Sequence, residues 1–305
     1  MLDHLEEKKQ DTLAAVLKLA VSRLPAAQHS EAKSFIATYY EQVDAEDLLA
    51  FPVEDLYGAA LAQLSFGRTF AGGAPQLRVY NPQIEEHGWT SPHTIIEILN
   101  DDMPFLVDSV TMEVNRQGHT LHLLIHPVFR TQRDARGKLQ SIAAAGSDGK
   151  PESFMHVEID RETDLRSLKA LEDGMLSVLA DVRVAVADWQ AMRDRMTSVI
   201  QELDTPPAGL ASEEVAEGRV FLDWANANHF TFLGFREYQL VEVNGDDQLK
   251  IVPESGLGLL REPRQGGVST SFAESPPSIR KLARAPNLLV LTKSNVRATV
   301  HRPGH

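Results

Sequence analysis

The sequence predicts an α+β protein: an N-terminal helical bundle, a strand–helix–strand unit extended by further strands and a long helix, and a partial α/β region. The first sign is an apolar stripe at spacings of three and four that runs through residues 1–70. The second is Thr94 to Pro127, where a β-branched run, an acidic turn, an amphipathic helix and an alternating strand follow one another. The third is Thr205-Pro206-Pro207-Ala208-Gly209, after which short strands replace long helical patterns. These breaks divide the chain into residues 1–75, 76–205 and 206–305.

In the first segment Leu5, Leu13, Val16, Leu17, Ala20 and Leu24 make one stripe, stopped by Pro25. Ser30 starts a second helix with Phe35, Ile36, Tyr39 and Val43, and Val53 to Leu64 form a further one. Such stripes must bury against neighbours, hence a bundle. Gly72-Gly73-Ala74-Pro75 ends the pattern. Leu77, Val79 and Tyr80 read as a short strand closed by Asn81-Pro82.

The organising unit opens with Ile95, Ile96, Ile98 and Leu99, of strand length. Asn100-Asp101-Asp102 follows, with carboxylates suited to capping a helix start, and Pro104 sits where a missing N–H costs nothing. Leu106, Val107, Val110 and Val114 give the helix its apolar side, and Gly118 ends it. Leu121, Leu123 and Ile125 alternate as the next strand; Leu139 with Ile142, and Phe154 to Ile159, predict two more. From Leu165 to Leu203 the three-and-four spacing predicts one long helix or two stacked ones, ahead of a strand at Val182, Val184 and Val186. Beyond the second linker a helix carries Val215, Val220, Phe221 and Trp224. Strands are expected at Phe230–Leu240, Leu249–Val252, Leu288–Leu291 and Val296–Val300, with a Gly/Ser/Pro-rich loop over 261–278. The last strand has no closing element after it, so a longer chain is expected.

No run of 18 apolar residues exists to span a bilayer, and the start MLDHLEEKKQ lacks a secretory pattern. Cysteine is absent, which excludes disulfides, thiol catalysis and cysteine-ligated zinc and suits the cytoplasm. A formal charge of −13 argues against nucleic acid as a partner. The six cations of 276–305 (Arg280, Lys281, Arg284, Lys293, Arg297, Arg302) read as a face complementary to the acidic remainder.

Chemistry is sparse. Gly256-Leu257-Gly258 lacks the third glycine and the βαβ context of a dinucleotide loop, so a turn is expected. His122 and His126 fall on one face of their strand, but no carboxylate follows at strand spacing to complete a metal set. His229 beside Trp224 and Phe230 reads as a packed core histidine. The strongest candidate is the acidic turn, where helix-start N–H groups beside carboxylates suit the two charged ends of a free amino acid.

Asn81-Pro82, Trp89-Thr90-Ser91-Pro92-His93-Thr94, the run Asn100-Asp101-Asp102-Met103-Pro104-Phe105-Leu106-Val107-Asp108-Ser109-Val110 and His126-Pro127-Val128 carry a resemblance, as do the stretch from His229 to Tyr238, Gly256-Leu257-Gly258 and Thr292-Lys293-Ser294-Asn295. Over residues 77–305 the sequence resembles the N-terminal region of the large bacterial NAD-specific glutamate dehydrogenases. That likeness implies an ACT-like βαββαβ-type domain with a long following helix, then an incomplete PAS-like domain, serving regulation and assembly. It implies no catalytic, cofactor-binding or metal-binding residue in this segment; NAD belongs to the parent enzyme, and the partners implied are the downstream catalytic domain and further copies in a homo-oligomer. The effector-binding set is Asn100, Asp101, Asp102, Met103, Phe105 and Asp108. Phe105 stands where ligand-binding ACT turns carry glycine, and a ring there would fill the pocket. An amino-acid-sensing module and a ligand-free oligomerisation scaffold are the alternatives.

Overall fold

Proline and acidic residues set the helix starts of the N-terminal segment. In the computed structural model, which describes residues 2–301 apart from 145, 262–268, 275, 277–279, 281–284, 286, 295 and 296, α1 spans Leu2–Arg23 and ends ahead of Pro25. Helices α2 (His29–Tyr40), α3 (Ala45–Leu49) and α4 (Val53–Phe66) follow, α4 starting behind Pro52 with Glu54 and Asp55 in its first turn. The buried Lys9 ammonium donates to the Glu41 carbonyl 3.1 Å away, just past the end of α2, where a cation meets the helix's negative end.

Strand β1 (Gln76–Tyr80), the short helix α5 (Ile84–His87), β2 (Thr94–Asp101) and α6 (Leu106–Arg116) come next. Helix α6 stops at Gly118, whose φ of +83° lets the His119 N–H reach back to the Val114 carbonyl at 3.2 Å. Strands β3 (Leu121–Ile125), β4 (Val128–Arg133), β5 (Leu139–Ala143) and β6 (Lys150–Ile159) complete the main sheet. All its pairings are antiparallel. Strand β2 lies between β1 and β6, and β6 is met by β4 along its first half and by β3 along its second. Thus β2, α6, β3, β6 and the helix after it reproduce the order expected of an ACT-like unit. The outer place beside β2 is taken by β1, which precedes the unit in sequence, rather than by a strand following it.

Alternation gives the sheet two faces. Leu99, Phe154, Phe129, Leu123 and Ile125 point to α1–α4 and share one core with Val16, Phe35, Ile36, Tyr39 and Leu64. Phe35 stacks on Phe129 at 4.7 Å, and Phe154 meets Phe129 edge-on. On the opposite face Ile96, Ile98, Met155, Val157 and Ile159 are buried, α6 packs on β3, and the first half of α7 (Leu165–Ala187) buries Leu171 and Met175. Gln117 of α6 donates to the Ala170 carbonyl of α7 at 3.1 Å.

The chain divides into two compact units, Met1–Ala180 with His301–His305, and Asp181–Val300. The second contains the end of α7, then α8 (Trp189–Glu202), α9 (Ser212–Trp224) and a π-turn at Ala225–His229. After these come β7 (Gly234–Phe235), β8 (Tyr238–Val243), β9 (Asp246–Ile251), β10 (Leu257–Gly258) and α10 (Thr270–Ala273). Strands β8 and β9 form a hairpin, and β7 pairs with β10.

The α+β architecture stands, and several local expectations need correction. The Leu165–Leu203 stripe is the second of its two expected forms, a pair of helices broken at Asp188, and Val182, Val184 and Val186 are helical as expected. Phe230 and Phe232 lie outside any strand, because the π-turn with Asn228 at φ +69° precedes them and pairing starts only at Gly234. Leu288–Leu291 has no strand pairing, and Leu291 is 76 % exposed. Val296 lies outside the described residues, as do Lys281, Arg284, Arg302 and most of the 261–278 loop.

Candidate functional site

The acidic turn joins β2 to α6. Asn100 is buried and donates through its Nδ2 to the Asp101 carbonyl at 2.8 Å. Asp101 is pinned from both sides: its Oδ1 receives the Lys150 ammonium at 2.5 Å and its Oδ2 receives the Gly73 N–H at 3.1 Å. The Asp102 N–H donates to the Pro151 carbonyl at 3.2 Å, leaving its carboxylate exposed.

The chain enters α6 through Phe105, which holds φ +75° at the N-cap. Left-handed backbone is costly for a bulky L-residue and natural for glycine. The conformation glycine would favour is therefore kept here by a half-buried aromatic residue. The N-cap residue Phe105 makes no side-chain capping bond; Asp101 is engaged by Lys150 and Gly73, and Asp102 is exposed. Asp108, half-buried in the first turn, supplies negative charge at the helix's positive end. Met103, two residues before Phe105, is half-buried. The Ser109 hydroxyl, one turn into the helix, accepts the His301 N–H at 3.0 Å.

The histidines of β3 and its end behave differently from the one-face expectation. The register of β3 against β6 shifts between Leu121 and Leu123, so His122 is an extra residue in a bulge, and His126 lies past the strand end. They diverge: His122 pairs with Asp160 at 2.7 Å, and His126 Nε2 bonds the Ser153 hydroxyl at 2.6 Å. Among the described residues no group of three or more histidines and acids is placed to hold a metal ion. His126 is the residue that sequence reasoning missed at the turn. Burial pushes its imidazole below the usual range, with the Asp102 carboxylate opposing, which places the ring in that carboxylate's field. The available signal was the His126-Pro127-Val128 motif, since Pro127 ends β3 and aims the ring before β4 resumes.

Elsewhere the bland expectations fit better. Gly256-Leu257-Gly258 is a turn: Gly258 sits at φ +56°, and a Cβ there would lie 2.3 Å from the Leu233 carbonyl oxygen. Its N–H donates to Asp188 at 2.7 Å, and Arg261 embraces the same carboxylate, holding it below the usual range. His229 stacks on Trp224 at 4.7 Å but is exposed, so it is packed without being core.

The main sheet and the β2–α6 turn fall within a known domain: residues 35–175 match the model of the glutamate dehydrogenase ACT1 domain. Over those residues the chain is similar to the ACT1 domain of glutamate dehydrogenase. The match begins within α2, so the bundle-facing side of the sheet is covered by helix belonging to the matched region. Curated relatives agree. The chain is 37 % identical to a NAD-specific glutamate dehydrogenase of Halomonas elongata, over 98 % of this chain and 19 % of that protein. It is 36 % identical to one of Pseudomonas aeruginosa, over 89 % and 17 %. A Mycobacterium tuberculosis protein of the same name is 26 % identical over 66 % and 12 %. The chain spans about a fifth of the length of the first two relatives. No helix among the described residues is long and apolar enough to cross a membrane.

Proposed function

We propose that this chain is the N-terminal, non-catalytic segment of a NAD-dependent glutamate dehydrogenase, serving regulation and assembly. The parent reaction converts L-glutamate, NAD and water into 2-oxoglutarate, ammonium and NADH, with NAD held by the parent's downstream catalytic domain. The observation that carries this reading is the ACT1 match over 35–175 within a chain that covers 19 % of a dehydrogenase relative. The purified chain is expected to give no turnover with glutamate and NAD; genuine turnover would sink the reading.

The turn supports a sensing role. Asn100, Asp101, Asp102, Met103, Phe105 and Asp108 lie at the start of α6, where Phe105 makes no capping bond, and a helix start of this kind favours an amino acid or small carboxylate. Calorimetry across a panel of amino acids and central carboxylates tests this, with Asp102→Ala as control. Binding that persists unchanged in Asp102→Ala would exclude the turn, and silence across the panel would leave assembly as the role. For assembly, β1 and β3 each have one side without a strand partner among the described residues. Such sides invite a second copy of the sheet in a cytoplasmic homo-oligomer. Light scattering should find an oligomer, and a strict monomer at high concentration would count against it.

A further inference from the structure

At the end of β2 far from the acidic turn, two imidazoles lie face to face. His93, just ahead of β2, and His122, the extra residue of the β3 bulge, stack with ring centroids 4.3 Å apart and planes 17° from parallel. Each ring is tied to its own carboxylate: His93 Nδ1 to Glu158 at 2.6 Å, His122 Nε2 to Asp160 at 2.7 Å. Bulges re-aim side chains, and this one turns His122 onto a ring from another segment.

We propose that this stack is a one-proton latch fastening the segment before β2 to the bulged strand β3. Two imidazolium rings this close repel, so the closed stack accommodates one charge and a second proton opens it. Both carboxylates stay ionised while this happens. Asp160 is held down to about 2 by hydrogen bonds from Thr120 and then His122. Glu158, despite its burial, is held below the usual range by His156 and His93.

Apart from Glu158 and Asp160, the surroundings add no charge among the described residues that neutralises the pair. From β6 the buried His156 shares Glu158 with His93, at 3.1 Å, and the Ser91 hydroxyl reaches the same carboxylate. Arg161 places a fixed positive charge on the Ser91 carbonyl at 2.9 Å. Asp55 of α4 accepts the Thr90 N–H at 3.4 Å, and Glu162 faces His119. The negative charges close to the rings are thus the two already engaged.

The test is hydrogen exchange on the whole chain at pH 8 and pH 5.5, read as amide protection of Leu123, Leu124 and Ile125. Protection of these amides should drop about tenfold at the lower pH, beyond any change in the rest of the sheet. The drop should vanish in His122→Gln and in His93→Gln, each of which leaves a single imidazole. Asp160→Asn, at an exposed position, should keep the latch and move its opening to lower pH. Equal protection at both pH values would overturn the proposal, as would an undiminished drop in His122→Gln, or an Asp160→Asn response identical to the native one.

Discussion

Phe105 puts a price in backbone strain on a position where glycine would sit without cost. Its φ of +75° opposes every L side chain, while its half-buried ring contributes packing. Two truncations separate these effects. Phe105→Ala loses the ring and keeps the strain, whereas Phe105→Gly loses both, so the Gly variant should be the more stable by about 1 kcal/mol in urea denaturation. That order reverses ordinary helix propensity; an Ala variant as stable as the Gly variant would show that no strain is stored there. The ion pair of Arg133 and Glu152 is another single-residue case. Both side chains are largely buried and joined at 2.7–3.1 Å. Arg133→Met should cost about 3–5 kcal/mol, because Glu152 is left as an uncompensated buried charge. A loss under 1 kcal/mol, on the order of an exposed pair, would refute that.

Element packing decides what a substitution does even where local propensity argues the other way. Gly58 lies inside α4, where alanine would strengthen an isolated helix by about 1 kcal/mol. A Cβ there would meet the Trp89 Cβ at 2.2 Å, so Gly58→Ala should lower the stability of the protein by about 1–3 kcal/mol in thermal melts. The same contrast explains what was legible in the sequence. Periodicity located α1, α2, α4, β2, α6 and β6, since each hides one apolar side and the pattern of Ile95–Leu99 or Leu106–Val114 records it. It misplaced the strands around Phe230 and Leu288, where apolar residues serve an aromatic cluster with Trp224 or face solvent. It placed His122 and His126 on one face because a bulge leaves no trace in a period-two pattern. The acidic turn was found as a segment, but its lock through Lys150 and Gly73 joins residues far apart in sequence, which spacing does not encode.

At the scale of the molecule, acid acts through groups whose charge differs between folded and unfolded chain. His126 is held below the usual imidazole range, so the unfolded chain takes that proton first, and stability falls as pH drops through about 6.5. Glu158 is also held down; its contribution is present above its ordinary value of 4.5 and is lost as pH falls below it. Denaturant midpoints should therefore decline in two stages between pH 7 and 3, and His126→Gln should shrink the upper stage while leaving the lower one. Flat stability across pH 7–5 in the native chain would contradict this account of His126. The helices that cover both sides of the main sheet carry a last consequence. With a roof of α1–α4 and a floor of α6 and the first half of α7, the apolar residues of the main sheet named above are buried on both faces. Whatever joins this domain must come in along a rim, strand against strand, or grip the outer surface of a helix. Recognition would then be written in backbone hydrogen bonds and helix-surface charges rather than in a greasy footprint.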